Sequence, residues 1–336
     1  MSNVDSLEIT LSHDDEALFT LHRYWIRADL MYRYWTNDLE SPENTYCTIF
    51  NLLKDTPFYN TYKQRHESIK ISTYFNYWVG AIFCVIEGYR KLKLPLTDGM
   101  PALESLTSLY CHIKEYRDNI YHFNNDTNQV VWIQNLLKNL EKIINIHNII
   151  GSNLLKKISA ITGGGKRVKF DKKNRRQSDA LEVKDLKLIC TKKNNSSDVF
   201  FRVLCLWQVA SLFRIHFDKE LEIIQNISSK SDIHLYTYMD YWYVALYTLI
   251  EAWRKLKEYK NCKIDSLLDL DDSSYLKKLK GRRHTMVHYH KQYTNGALSA
   301  LITTEGNVLW LNNLHNAFNE YFIQKLKEDA FVSRDC

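Results

Sequence analysis

The chain has 336 residues, more than one hydrophobic core usually serves, so two domains are expected. Its 45% hydrophobic and 25% charged residues exclude wholesale disorder, and 10 glycines and 4 prolines beside 13% aromatics favour long helices over a turn-rich β fold. A formal charge of +6 is compatible with an anionic partner such as nucleic acid without requiring one. The seven cysteines are odd in number and widely spaced, with no Cys-x-x-Cys, which argues against a disulfide framework and a zinc ribbon. Met1 to Asp15 is polar and acidic with no signal pattern. The apolar runs Trp78 to Ile86 and Trp242 to Ile250 are too short to span a bilayer. A soluble, reduced, cytoplasmic protein without a membrane partner is expected.

In chain order, Glu16 to Trp35 is apolar at helical spacing through Leu18, Leu21, Trp25, Ala28 and Tyr32. Ser72 to Leu92 is apolar almost all round, as a buried central helix would be. Thr97-Asp98-Gly-Met-Pro101 is a cap-and-proline start signal for a third helix running through Arg117-Asp-Asn-Ile-Tyr-His122. A fourth helix is expected after Trp132. From Gly163 to Asp198 the chain is rich in Gly, Lys, Asn and Ser and reads as a linker or basic arm. Its Lys166, Arg167, Lys169, Lys172, Lys173, Arg175 and Arg176 are either a solvated run or a phosphate contact. Gly163-Gly-Gly-Lys166 lacks the spacing of a phosphate loop.

The helical pattern then repeats. Val199 to Phe217 matches the first helix, with Trp207, Ala210 and Phe213 recurring, and Tyr236 to Lys257 matches the second. Asp271-Asp272-Ser273-Ser274 caps a helix over Tyr275 to His288. Asn295 to Trp310, β-branched between Gly296 and Glu305-Gly306, predicts a small hairpin, and a last helix is expected after Trp310. The second helices share a register: Tyr74/Tyr238, Tyr77/Tyr241, Trp78/Trp242, Ala81/Ala245, Ile86/Ile250, Glu87/Glu251, then Arg-Lys-Leu-Lys from Arg90 and from Arg254. The chain reads as an internal duplication, with domains at 1–155 and 198–336 and a basic linker at 156–197.

Each half carries one Arg-x4-His: Arg117 to His122, and Arg283-His-Thr-Met-Val-His288. A single copy is close to chance. Two copies at matched repeat positions are not. On a helix, Asp118 lies one turn below His122, and His284 one turn below His288. The imidazole moves protons near neutral pH, and the guanidinium can hold two oxygens of a phosphate as negative charge grows. RNA cleavage through its own 2′-hydroxyl benefits from two proton carriers, which a two-fold pairing of the third helices would supply. No metal or other cofactor is implied; His288-x-His290 could be a metal pair but has no nearby third ligand. Glu87 and Glu251, within apolar helices, require partners, expected to be Arg90 and Arg254 or the motif Arg of the same domain. Asn119, Tyr121, Tyr289 and His290 are candidates to line the cleft or bind RNA, joined by Lys166 and Arg167.

Arg-polar-x-x-x-His within a small helical bundle resembles the HEPN superfamily (higher eukaryotes and prokaryotes nucleotide-binding domain). The resemblance covers Leu18 to Asn148 and Val199 to Leu326, and it implies an all-α fold of two tandem bundles forming a pseudo-dimer. It further implies a metal-independent endoribonuclease with Arg117, His122, Arg283 and His288 as the catalytic set, leaving a 2′,3′-cyclic phosphate. Asp118, His284, Glu87 and Glu251 would orient that set. Many such proteins are toxins or antiviral, abortive-infection effectors, so an antitoxin or defence-system partner and further homo-oligomerisation come within the expectation. The His-x-Tyr ending of HEPN toxins silenced by a nucleotidyltransferase is absent, since Asn124 and His290 stand at the Tyr position. A non-catalytic module binding RNA, nucleotide or protein, and a purely helical scaffold, are the competing readings.

Overall fold

The computed structural model describes residues 13–36, 58–94, 103–121, 136, 138–161, 196–226, 233–255, 261–269, 275–290 and 305–332. Its elements are α1 (His13–Trp35), α2 (Phe58–Lys91), α3 (Leu103–Tyr121), α4 (Leu140–Ile161), α5 (Ser196–Asn226), α6 (Ile233–Lys255), α7 (Cys262–Asp269), α8 (Tyr275–Val287) and α9 (Glu305–Val332). The protein is all-α, with no strand among the described residues. None of the described helices is long and apolar enough to cross a membrane.

Local sequence accounts for most of these elements. α1 opens on Asp14, Asp15 and Glu16 and closes near Arg33, charges that complement the helix dipole. Its buried stripe is Leu18, Leu21, Trp25, Ala28 and Tyr32, the spacing of one helix face. α6 is buried without a break from Thr237 to Ile250, and α2 from Tyr77 to Ile86. These two helices form the centre. α1 packs on α2 and α5 on α6, while α3 packs on α2 and α8 on α6. α3 also reaches α6, and α8 reaches α2, so each third helix touches the central helix of the other half.

Similar contacts occur around the aligned residues of the two central helices. Trp78 Nε1 donates to His147 Nδ1 at 3.5 Å, and Trp242 Nε1 donates to His315 Nδ1 at 3.2 Å. At the junction, Tyr34 Oη and Tyr238 Oη lie 2.7 Å apart, while Tyr74 Oη meets His216 Nε2 at 2.8 Å. The Tyr77 and Tyr241 rings meet edge to face at 5.2 Å, joining the two central helices directly.

Two expectations change. Residues 305–310, expected at the end of a hairpin, form the start of α9 instead; residues 295–304 lie outside the described residues. Trp310 fits a helix because its ring stacks on Tyr275 and its Nε1 donates to the Leu267 carbonyl at 3.0 Å. α7 was not expected. Asn261 caps it by accepting from Lys263 N at 3.0 Å and Ile264 N at 3.1 Å. Of the linker expected at 156–197, residues 156–161 belong to α4 and 196–197 to α5; its remainder, Trp132 and the proposed caps at 97–101 and 271–274 lie outside the described residues.

Candidate active site between the two motifs

α8 ends at Val287, one residue short of His288, and α3 is described as far as Tyr121, the residue before His122 in sequence. The motif arginines sit four residues earlier and turn inward. Arg117 is 2% exposed and Arg283 7% exposed. Each guanidinium lies over an aromatic ring of its own central helix, Arg117 over Phe83 at 4.1 Å and Arg283 over Tyr247 at 4.6 Å. Phe83 and Tyr247 occupy matched positions, five residues after Trp78 and Trp242.

The arginines then cross between the halves. Arg117 Nη1 donates to the Val287 carbonyl at 2.7 Å, and Arg283 Nη1 donates to the Tyr121 carbonyl at 3.2 Å. Each thus holds the backbone of the residue just before the other half's motif histidine. Arg117 Nη1 also lies 3.3 Å from His288 Nδ1. Nearest carboxylates complete the sets: Asp118 pairs with Arg117, and Glu251 accepts from Arg283 at 2.8 Å. Glu251 therefore meets the motif arginine of its own half, as expected.

Glu87 does not. It was expected to pair with Arg90 or Arg117, but it accepts from Tyr289 N at 2.8 Å, meets Lys91 at 3.1 Å and lies 3.9 Å from His288 Nδ1. The reason is geometric: the end of α8 comes down onto α2, Arg117 faces Asp118, and Arg90 lies over the Tyr110 ring at 4.4 Å.

His288 sits in a bend after α8, its N–H donating to the His284 carbonyl at 3.2 Å. The His284 ring is 4.7 Å from His288 and 5.2 Å from His290. Burial, and then the Arg117 charge, hold the His288 pKa down at about 4, so its ring is neutral at pH 7. With arginine only a donor, the lone pair of neutral His288 is on Nδ1. His290 is also pushed down, by burial and then by His284. No three His, Cys, Asp or Glu among the described residues are grouped to hold a metal ion.

Tyr121 and Tyr289, expected to line a cleft, have their rings in the core. Tyr121 fills the space over Gly80, where a Cβ would meet its Oη at 2.3 Å; Tyr289 lies over Gly88, where a Cβ would meet its ring at 2.5 Å. Only their backbones are left for the site. Asp118 is half-exposed and His284 exposed. His122, Lys166 and Arg167 lie outside the described residues, as does the side chain of Asn119.

Behind the site is a buried triad that sequence reasoning missed. Arg27 Nη2 donates to Asp240 Oδ2 at 2.6 Å and Arg282 Nε donates to Asp240 Oδ1 at 2.6 Å. Asp240 was legible as a lone carboxylate in an apolar helix, which demands a partner just as Glu251 does. Its two arginines were not, because they come from α1 and α8. No family model, curated protein or solved structure matches the chain, so what the site does must be argued from its own residues.

Proposed function

We propose that the chain is a metal-independent endoribonuclease made of two tandem HEPN-like bundles, fused so that one chain supplies both halves of a pseudo-dimer. The observation that carries this reading is the Arg117–His288 approach across the halves, with Arg283 making the reciprocal reach to the residue before His122. It is supported by matched contacts elsewhere, Trp78–His147 with Trp242–His315 and Tyr34–Tyr238 with Tyr74–His216. Such reciprocal pairing is the signature of an isologous interface.

The chemistry follows from the atoms. A phosphodiester that draws the Arg117 guanidinium off His288 Nδ1 frees that lone pair for the ribose 2′-hydroxyl, and neutral His288 takes the proton. The 2′-oxygen attacks phosphorus, and the bond to the 5′-oxygen breaks. Arg117 and Arg283 stabilise charge on the non-bridging oxygens, and His122 returns a proton to the leaving 5′-oxygen. The products are a 2′,3′-cyclic phosphate and a 5′-hydroxyl. Asp118 and His284 orient the set. An effector role as a toxin or in antiviral defence, with an antitoxin or similar partner, extends the same proposal from the resemblance.

A second reading is a non-catalytic module that binds RNA, nucleotide or protein. The burial of both motif arginines favours it, since each already has carboxylate and carbonyl partners that join the halves. Expression in cells separates the two. Wild type degrades RNA and slows growth while His122→Ala and His288→Ala do not; intact RNA and normal growth with folded wild type would overturn the nuclease reading.

A further inference from the structure

We infer that the first half of the chain acts as a template for the second motif, with Glu87, Lys91 and Tyr24 as positioning residues that fix His288. The inference rests on the nuclease reading for what His288 does, but not for how it is held. Nearly every backbone polar group around His288 finds its partner in the first half. The Val287 carbonyl accepts from Arg117, and Tyr24 Oη lies 3.0 Å from the His288 carbonyl and 2.5 Å from that of Thr285. The next N–H, of Tyr289, donates to Glu87 at 2.8 Å, and the Tyr289 carbonyl accepts from Lys91 Nζ at 3.2 Å. Glu87 and Lys91 are themselves paired at 3.1 Å, one turn apart on α2.

The Tyr289 side chain completes the cradle. Its ring lies over Gly88, between Glu87 and Lys91 in sequence, and packs against Tyr24 at 5.5 Å. Its hydroxyl donates to the Ala17 carbonyl of α1 at 3.1 Å. A segment outside any helix, held at both backbone polar groups and at the tip of its side chain, has little freedom to move the neighbouring imidazole. Catalytic groups need such support, because small displacements of a reacting atom cost rate steeply.

Counting from the aligned tryptophans, Leu206 stands where Tyr24 stands and Ala252 where Gly88 stands, so the hydroxyl and the flat spot are both missing from the second half. Glu251, the match of Glu87, accepts from Arg283. The first half thus holds the segment that presents His288.

The test compares wild type, Glu87→Ala, Glu87→Gln and Lys91→Met in the full chain, each checked for folding by urea denaturation. Glutamine keeps an oxygen that accepts from Tyr289 N–H, whereas alanine does not. Glu87→Ala is expected to speed hydrogen exchange at the Tyr289 amide, shift the His288 ring resonances and cut single-turnover RNA cleavage at least tenfold at unchanged KM. Glu87→Gln should restore most of all three. Lys91→Met, at a half-exposed position, gives the same changes in smaller measure and serves if Glu87→Ala does not fold. Unchanged Tyr289 exchange and His288 resonances in a folded Glu87→Ala or Lys91→Met protein would overturn the cradle, and so would Glu87→Gln failing as badly as alanine. If wild type cleaves no RNA, the nuclease reading falls by itself, and amide exchange still decides whether the cradle exists.

Discussion

Acidification should destabilise this protein through two buried imidazoles, one joining the halves and one inside the second half. His216 joins Tyr74, and His315 accepts from Trp242; burial pushes both pKa values down to about 3, aided by Lys219 and Lys70 near His216 and by Arg214 near His315. An unfolded histidine titrates near 6.5, so between pH 6.5 and 3 the unfolded chain binds more protons, and stability falls as pH falls. At pH 5 each imidazole forfeits about 2 kcal/mol relative to pH 7 or above, and the two together about 4 kcal/mol, a large share of a typical folding free energy. His288, partly exposed, adds a smaller part that solvent screens. The assay is urea denaturation of wild type and His315→Gln from pH 7 to pH 5. The variant starts less stable, but its stability should decline by about 2 kcal/mol less over that interval. Equal declines in the two proteins would refute the claim that His315 is neutral and buried.

Three further outcomes follow from the same contacts. Gly80→Ala should destabilise by about 1–3 kcal/mol in urea titration, because its Cβ would meet Tyr121 Oη at 2.3 Å; a gain of stability, the usual result of Gly→Ala in a helix, would show that Tyr121 is not packed there. Asp240→Asn leaves Arg27 and Arg282 buried without their shared charge and should cost about 3–5 kcal/mol, read by urea denaturation, whereas removing the half-exposed Asp118 carboxylate should cost far less. With His288 as base, single-turnover RNA cleavage by folded protein should show no acid limb between pH 7 and pH 5; a limb near 6.5 in folded protein would mean that His288 is not the base.

The central helices were readable because Tyr74 to Ile86 and Tyr238 to Ile250 are apolar on every face, a pattern only a buried helix supports. Their shared register also brought out the two motifs. The route of each arginine was not readable. Arg117 and Arg283 reach across to Val287 and Tyr121, and helical spacing says nothing about which loop arrives from the other half. The same limit hid the true partner of Glu87. Glu251 obeyed the local expectation and Glu87 did not, because the segment after α8 descends onto α2. The tyrosines beside the motif histidines were misplaced for a simpler reason. Gly80 and Gly88 open flat spots on α2 that draw both rings into the core, and a glycine inside an apolar helix is the signal that marks such a spot.

The most direct test of a site shared between the halves is cleavage of an end-labelled RNA by purified protein in excess chelator, with analysis of the product ends. Wild type should give 2′,3′-cyclic phosphate and 5′-hydroxyl termini. His122→Ala and His288→Ala should each lose at least a hundredfold in rate, and mixing the two inactive variants should restore nothing, because the site forms within one chain. Cleavage that persists in either single variant, or that returns on mixing, would contradict a single composite site.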